Sequence, residues 1–186
     1  MEILTLTYRN FRHPPISKLI RRMNNSRVVA MRSPDPRLKV GCTIVNHKWE
    51  ITSYDCNRKP FTSKNFKDCL TVEGRSKPDL LHAEIAAVLN LRSFNSGSKA
   101  FVTSAPCERC VGVLAERGIN EIYFRHDHDD NAGIKLFEEE YKGKATKLVY
   151  DEESVIKANI DGYNLLGYLF DISKYRETTT CVKPST

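Results

Sequence analysis

The chain has no run of eighteen apolar residues, so no part of it reads as a membrane-crossing helix, which needs about 20. Its opening, Met1-Glu2-Ile3-Leu4-Thr5-Leu6-Thr7, lacks the basic start and long apolar stretch of a secretory signal. Cysteine is sparse and scattered: of six, only Cys107 and Cys110 share a C-x-x-C spacing. That excludes the disulfide framework of a small secreted domain. Together these absences predict a cytoplasmic protein with reduced thiols. There is no internal repeat, and no stretch interleaves aromatic with basic residues as single-strand binders do for base stacking. The length, 186 residues, is short for two ordinary domains and ample for one core, so one domain over 1–186 is expected.

Positive charge is abundant and unevenly placed. Residues 1–100 carry 18 Lys and Arg against 8 Asp and Glu, a net +10, whereas residues 101–186 carry 11 against 15, a net −4. Such a field attracts a nucleotide phosphate or a nucleic-acid backbone, and it equally describes a solvated surface.

Hydrophobic spacing predicts alternating elements. Pro14-Pro15 followed by Ile16, Leu19, Ile20 and Met23 opens a helix with one buried stripe, its other face carrying Arg21, Arg22, Arg27 and Arg32. Ser33-Pro34-Asp35-Pro36 stops it. Leu38 to Asn46 and Trp49 to Tyr54 read as a hairpin, with Cys42 in the core. Residues 58–79 form a long polar excursion. A helix follows from His82 to Leu91, then a strand over Lys99–Thr103 and a helix from Cys107 to Gly118 with both thiols in its first turn. The remaining expectations are a strand over Glu121–Phe124, a helix over Ile134–Tyr141, a strand over Thr146–Tyr150 and a closing helix over Ile160–Lys174. Five strands alternating with helices predict a three-layer α/β/α sandwich around a mixed, largely parallel five-stranded sheet.

Two short motifs carry the chemistry: His82-Ala83-Glu84 and Pro106-Cys107-Glu108-Arg109-Cys110. One imidazole and two thiolates can hold zinc and leave a fourth position for water, whereas closed structural sites use four protein donors. Zinc lowers the pKa of its bound water toward neutrality. Glu84, two residues from the ligand His82, is close enough to handle that water's protons without joining the metal. H-x-E with P-C-x-x-C is the established signature of zinc-dependent base deaminases. Helix amino termini favour anions, which helps keep the two sulfurs ionised. A zinc-ribbon half-site and a thioredoxin-like redox pair are the other readings of C-x-x-C. The first lacks a second close pair, and the second leaves His82 and Glu84 unused.

At these residues the chain resembles the cytidine deaminase superfamily, and within it the deoxycytidylate (dCMP) deaminases, over about residues 16–150. Lys39-Val40-Gly41, Lys77-Pro78-Asp79-Leu80-Leu81 and Thr103 are similar to that family, and Asp55-Cys56-Asn57-Arg58-Lys59-Pro60 is similar to its Gly-Tyr-Asn-Gly-x-Pro segment. Cys56, Arg58, Ala86 and Ser104-Ala105 depart from it. The resemblance implies a cytidine deaminase-like fold and hydrolysis of dCMP to dUMP and ammonia. It implies Zn2+ on His82, Cys107 and Cys110, and Glu84 as proton shuttle. Asn57 would bind the sugar, and the backbone around Val40 and Ala83 would line the base pocket. It also implies a homo-oligomer, often regulated by dCTP and dTTP.

Arg58 and Arg27 are candidates for the substrate phosphate, because guanidinium matches phosphate oxygens. His126-Asp127-His128-Asp129-Asp130 reads as a solvated loop rather than a second metal site, and the resemblance implies that His126 or His128 borders the substrate. Three other functions stay open: a polynucleotide cytosine or adenine deaminase, a riboflavin-pathway deaminase, and a non-enzymatic zinc-stabilised binding module. Neither membrane association nor stable nucleic-acid binding is expected.

Overall fold

The computed structural model describes residues 1–5, 14–61, 69–71, 77, 79–92, 97–128 and 130–150. The helix expected over 160–174 lies outside them. Ten elements follow in order: β1 (Glu2–Thr5), α1 (Pro14–Ala30), β2 (Gly41–Val45), β3 (Ile51–Cys56), α2 (Ala83–Leu89), β4 (Ser98–Ser104), α3 (Glu108–Glu116), β5 (Ile119–His126), α4 (Ala132–Glu139) and β6 (Lys144–Val149).

Among the described residues the sheet has six strands rather than five, in the order β1-β6-β5-β4-β2-β3. β1, β6, β5 and β4 run parallel to one another, and β2 is antiparallel to both β4 and β3. The additional strand is β1, whose four residues pair Glu2 to Thr146 through Thr5 to Val149. Four residues are too few to show a period. Their strand state comes from the edge of β6 and from Leu4 packing into the core, a tertiary cause that local pattern does not carry.

Alternation along the strands fills both faces. Ala100 and Val102 of β4, with Ile122 and Phe124 of β5, meet α2, α3 and α4, where Val88, Leu114, Ile134 and Phe137 are buried. Phe101 points to the opposite face, toward Leu19, Ile20 and Met23 of α1, and stacks on Tyr123 with centroids 4.8 Å apart. Cys42 is fully buried, in the core as expected. No helix among the described residues is long and apolar enough to cross a membrane.

Two close backbone approaches aim these layers at one end of the sheet. A Cβ at Gly41 would stand 2.0 Å from the Ser26 carbonyl oxygen and 2.6 Å from the Ala30 nitrogen. Only glycine lets α1 lie so tightly on β2, which fixes where the chain leaves α1. A Cβ at Gly133 would stand 2.2 Å from the Pro106 carbonyl oxygen, so the start of α4 is pressed against the turn that begins α3. The hairpin strand begins at Gly41, three residues later than expected. Residues before it are held instead by side chains: Asp35 Oδ1 accepts from the Arg37 and Leu38 amides, and Asn57 Oδ1 from the Val40 amide.

Candidate active site

α2 and α3 begin at the same end of the sheet, and each starts with a metal-type donor. His82 is the residue before α2, with extended backbone (φ −67°, ψ 152°), and Cys107 stands likewise before α3 (φ −74°, ψ 168°). Cys110 follows in the first turn of α3. Cys107 is therefore the cap of its helix, one position outside the first turn in which it was expected. The His82 Nδ1 atom lies 3.6 Å from Cys107 Sγ and 3.4 Å from Cys110 Sγ. All three donor atoms fall within 4.8 Å of one another, the single such grouping among the described residues.

Three donors this close stay together only if a proton or a cation sits among them. Hydrogen bonds from the Cys110 thiol and from His82 together hold the Cys107 thiol down at about 3. Cys110 is pushed far up, first by that same bond and then by burial. The bond to Cys107 likewise raises His82. Two thiols and an imidazole this close to one another mark a place where a divalent cation can displace protons. Two sulfurs and one nitrogen suit a borderline-soft ion such as zinc. Cys110 is buried, Cys107 half-buried and His82 exposed, so the donor set is open on one side.

That side faces a cavity of about 220 Å³. His82, Ala83, Glu84 and Cys107 form one wall, Val40 and Asn57 another. Glu84 is only 4% exposed, and burial raises its carboxyl above the usual range. A buried carboxyl beside metal-type donors can hold and release a proton. Asn57, 5% exposed, also organises the wall: its Nδ2 donates to the Leu38 carbonyl at 2.8 Å while Oδ1 takes the Val40 amide at 2.8 Å. The Gly41 amide donates to Thr103 Oγ1 at 3.1 Å, tying the same wall to β4.

The structure thus brings together His82, Glu84, Cys107, Cys110, Asn57, Val40 and Ala83. It does not bring Arg58. That guanidinium donates twice to Asp55 Oδ2, at 3.1 and 2.7 Å, lies 3.7 Å over the Phe61 ring, and is absent from the cavity lining. Arg27 also lies outside the lining. Arg37 does line it, with Asp35, Leu38, Leu80, Ser104, Ala105 and His128. In the sequence Ser33-Pro34-Asp35-Pro36 reads as a helix stop, and Arg37 directly after it is not singled out; the signal available is its place between that turn and a buried strand. The loop after β5 is fastened by Asn131, whose Oδ1 takes the His128 amide and whose Nδ2 reaches Asp127.

Residues 17–126 match the family described as the cytidine and deoxycytidylate deaminase zinc-binding region. The deoxycytidylate deaminase of Homo sapiens is 29% identical over 145 residues, covering 68% of this chain and 80% of that protein. The dCMP deaminase of cyanophage S-TIM5 in apo form superposes with a TM-score of 0.59 at 26% identity, covering 72% of this chain and 98% of that one. The same phage enzyme in complex with dCMP and dUMP gives a TM-score of 0.63 at 23% identity over 73% and 98%, a likeness of fold.

Proposed function

Because this chain belongs to the cytidine and deoxycytidylate deaminase family and is a hydrolytic deaminase acting on nucleotides, we propose that its reaction is dCMP plus water to dUMP plus ammonia, with zinc as cofactor. The observation that carries the proposal is the meeting of His82, Cys107 and Cys110 at the mouth of a cavity that also holds a buried carboxyl, Glu84. His82 Nδ1 and the two sulfurs would hold the zinc. When bound, zinc acts as a Lewis acid that makes water acidic enough to react near neutral pH.

The chain's own residues supply the proton traffic. Glu84 takes a proton from the attacking water and passes it to ring N3 as the new C4–O bond forms. It then carries the second proton to the exocyclic amine, which leaves as ammonia when the C4–N bond breaks. Its burial suits it to both roles, since a raised pKa lets one carboxyl accept and donate in turn. Ala83 and Val40 bound the base, and Asn57 meets the sugar from a position fixed by Leu38 and Val40. Arg37 takes the place first given to Arg58 and Arg27 as the cation facing the phosphate, because it lines the cavity and they do not.

The test is ammonia release from dCMP, CMP, deoxycytidine, a pterin precursor and a cytosine-containing oligonucleotide, each with the purified zinc protein. Fastest release from dCMP is expected. Release from the oligonucleotide alone, or from none of them, overturns the proposal.

A further inference from the structure

Arg58 stands where this chain departs from the segment it resembles, and its bonds run in two directions. Along the backbone, its amide donates to the Leu81 carbonyl at 3.0 Å and its carbonyl accepts from the Leu81 amide at 2.8 Å, a two-way bridge. Leu81 is the residue directly before His82. Through the side chain, 94% shielded from solvent, the guanidinium grips Asp55 Oδ2, donates to the Lys59 carbonyl at 3.2 Å and stacks on Phe61.

Asp55 Oδ2 also accepts from Asn90 Nδ2 at 3.0 Å, and Asn90 caps the carboxyl-terminal end of α2. Residues 55–59 therefore form a strap held to both ends of the helix that His82 begins. Lys59, buried and paired with Asp79 at 3.3 Å, fastens the strap again two residues before Leu81.

We propose that Arg58 is a positioning residue: by locking the strap onto Asp55 it fixes Leu81, and so sets the distance of the His82 imidazole from the two sulfurs. A helix of seven residues has little rigidity of its own. The placement of its first residue must come from tertiary bonds, and the Leu81 bridge is the nearest pair of them. Removing the guanidinium leaves the Asp55 carboxylate, only 14% exposed, without its cation. The strap then loosens at its centre.

The inference rests on His82, Cys107 and Cys110 being the metal ligands, and metal affinity tests it without reference to substrate. Zinc affinity by chelator competition, and the visible absorption of the cobalt(II)-substituted protein, are measured for the wild type, Arg58→Ala, Arg58→Lys and Asp55→Asn. Ile20→Val, a core change on the far face of the sheet, serves as a stability control. Partners behind a metal ligand commonly change affinity about 10–100-fold. Arg58→Ala is expected to bind zinc about tenfold more weakly with a shifted cobalt spectrum, Arg58→Lys to recover part of the loss, and Ile20→Val to lower Tm alone. Should Arg58→Ala not fold, Asp55→Asn is expected to show the same shift. Wild-type zinc affinity in Arg58→Ala, or in Asp55→Asn where the former does not fold, overturns the inference and leaves the metal assignment standing. A wild-type protein that binds no zinc overturns both.

Discussion

Replacing Glu84 with Gln changes one oxygen for one nitrogen at a buried position, so it leaves no cavity and little strain. What it removes is the ability to accept a proton. If Glu84 shuttles protons, the loss is that of a positioned general acid and base, about 10²- to 10⁴-fold in kcat, or about 3–5 kcal/mol on the barrier. A competing role exists, because Glu84 lies in the first turn of α2, where a negative charge steadies a helix by about 0.3–1 kcal/mol. The two magnitudes separate the roles. A capping carboxylate lost to Gln costs a Tm shift of roughly 1–4 °C in a chain of this size and leaves turnover near that of the wild type. A lost shuttle stops turnover with Tm nearly unmoved. Zinc content, Tm and single-turnover ammonia release from dCMP are measured on the same preparation. The expected result is one zinc per chain and kcat down at least about a hundredfold. Retained zinc with kcat within about threefold of wild type would refute the shuttle.

Other outcomes follow from the same geometry. Gly41→Ala drives a methyl against the α1 backbone and is expected to cost about 1–3 kcal/mol or more, read as a lower midpoint in urea. Arg37→Ala is expected to raise KM for dCMP about tenfold, the value of a lost charged contact, and to leave deoxycytidine, which has no phosphate, unchanged. Equal effects on both would remove Arg37 from the phosphate. Glu121 shows the pH dependence: burial pushes its carboxyl up, but Lys99 and the Tyr123 hydroxyl more than offset this and hold it below the usual range. A lowered folded pKa stabilises above the unfolded value, and that stability is lost as pH falls through the folded one. Glu121→Gln should therefore lower Tm at pH 7 and flatten its fall below about pH 4.5; a parallel shift at every pH would contradict this.

The metal donors were legible because each half of the site is local: His82 and Glu84 are two residues apart, Cys107 and Cys110 three. Helical period and strand alternation then sufficed to order α1 through β6, since each buries a face that its own residues encode. Legibility stopped where a contact follows no period. Arg58 read as a candidate for the substrate phosphate, because its partners Asp55 and Phe61, though each three residues away, are joined to it by irregular backbone, across the end of β3 and past a proline. Asn57 read as a sugar contact through the resemblance. Its side chain lines the cavity and also holds the segment that leads into β2. β1 could not be read, because four residues become a strand only once β6 is there to receive them.

One imidazole and two sulfurs are expected to hold a single ion whose last position is open to water. Zinc-edge X-ray absorption on the purified protein measures that directly. Two sulfurs at about 2.3 Å are expected with two lighter atoms at about 2.0–2.2 Å, one of them from His82 and one exchangeable with added anions. Three or four sulfurs, or a shell unaltered by any added ligand, would contradict it.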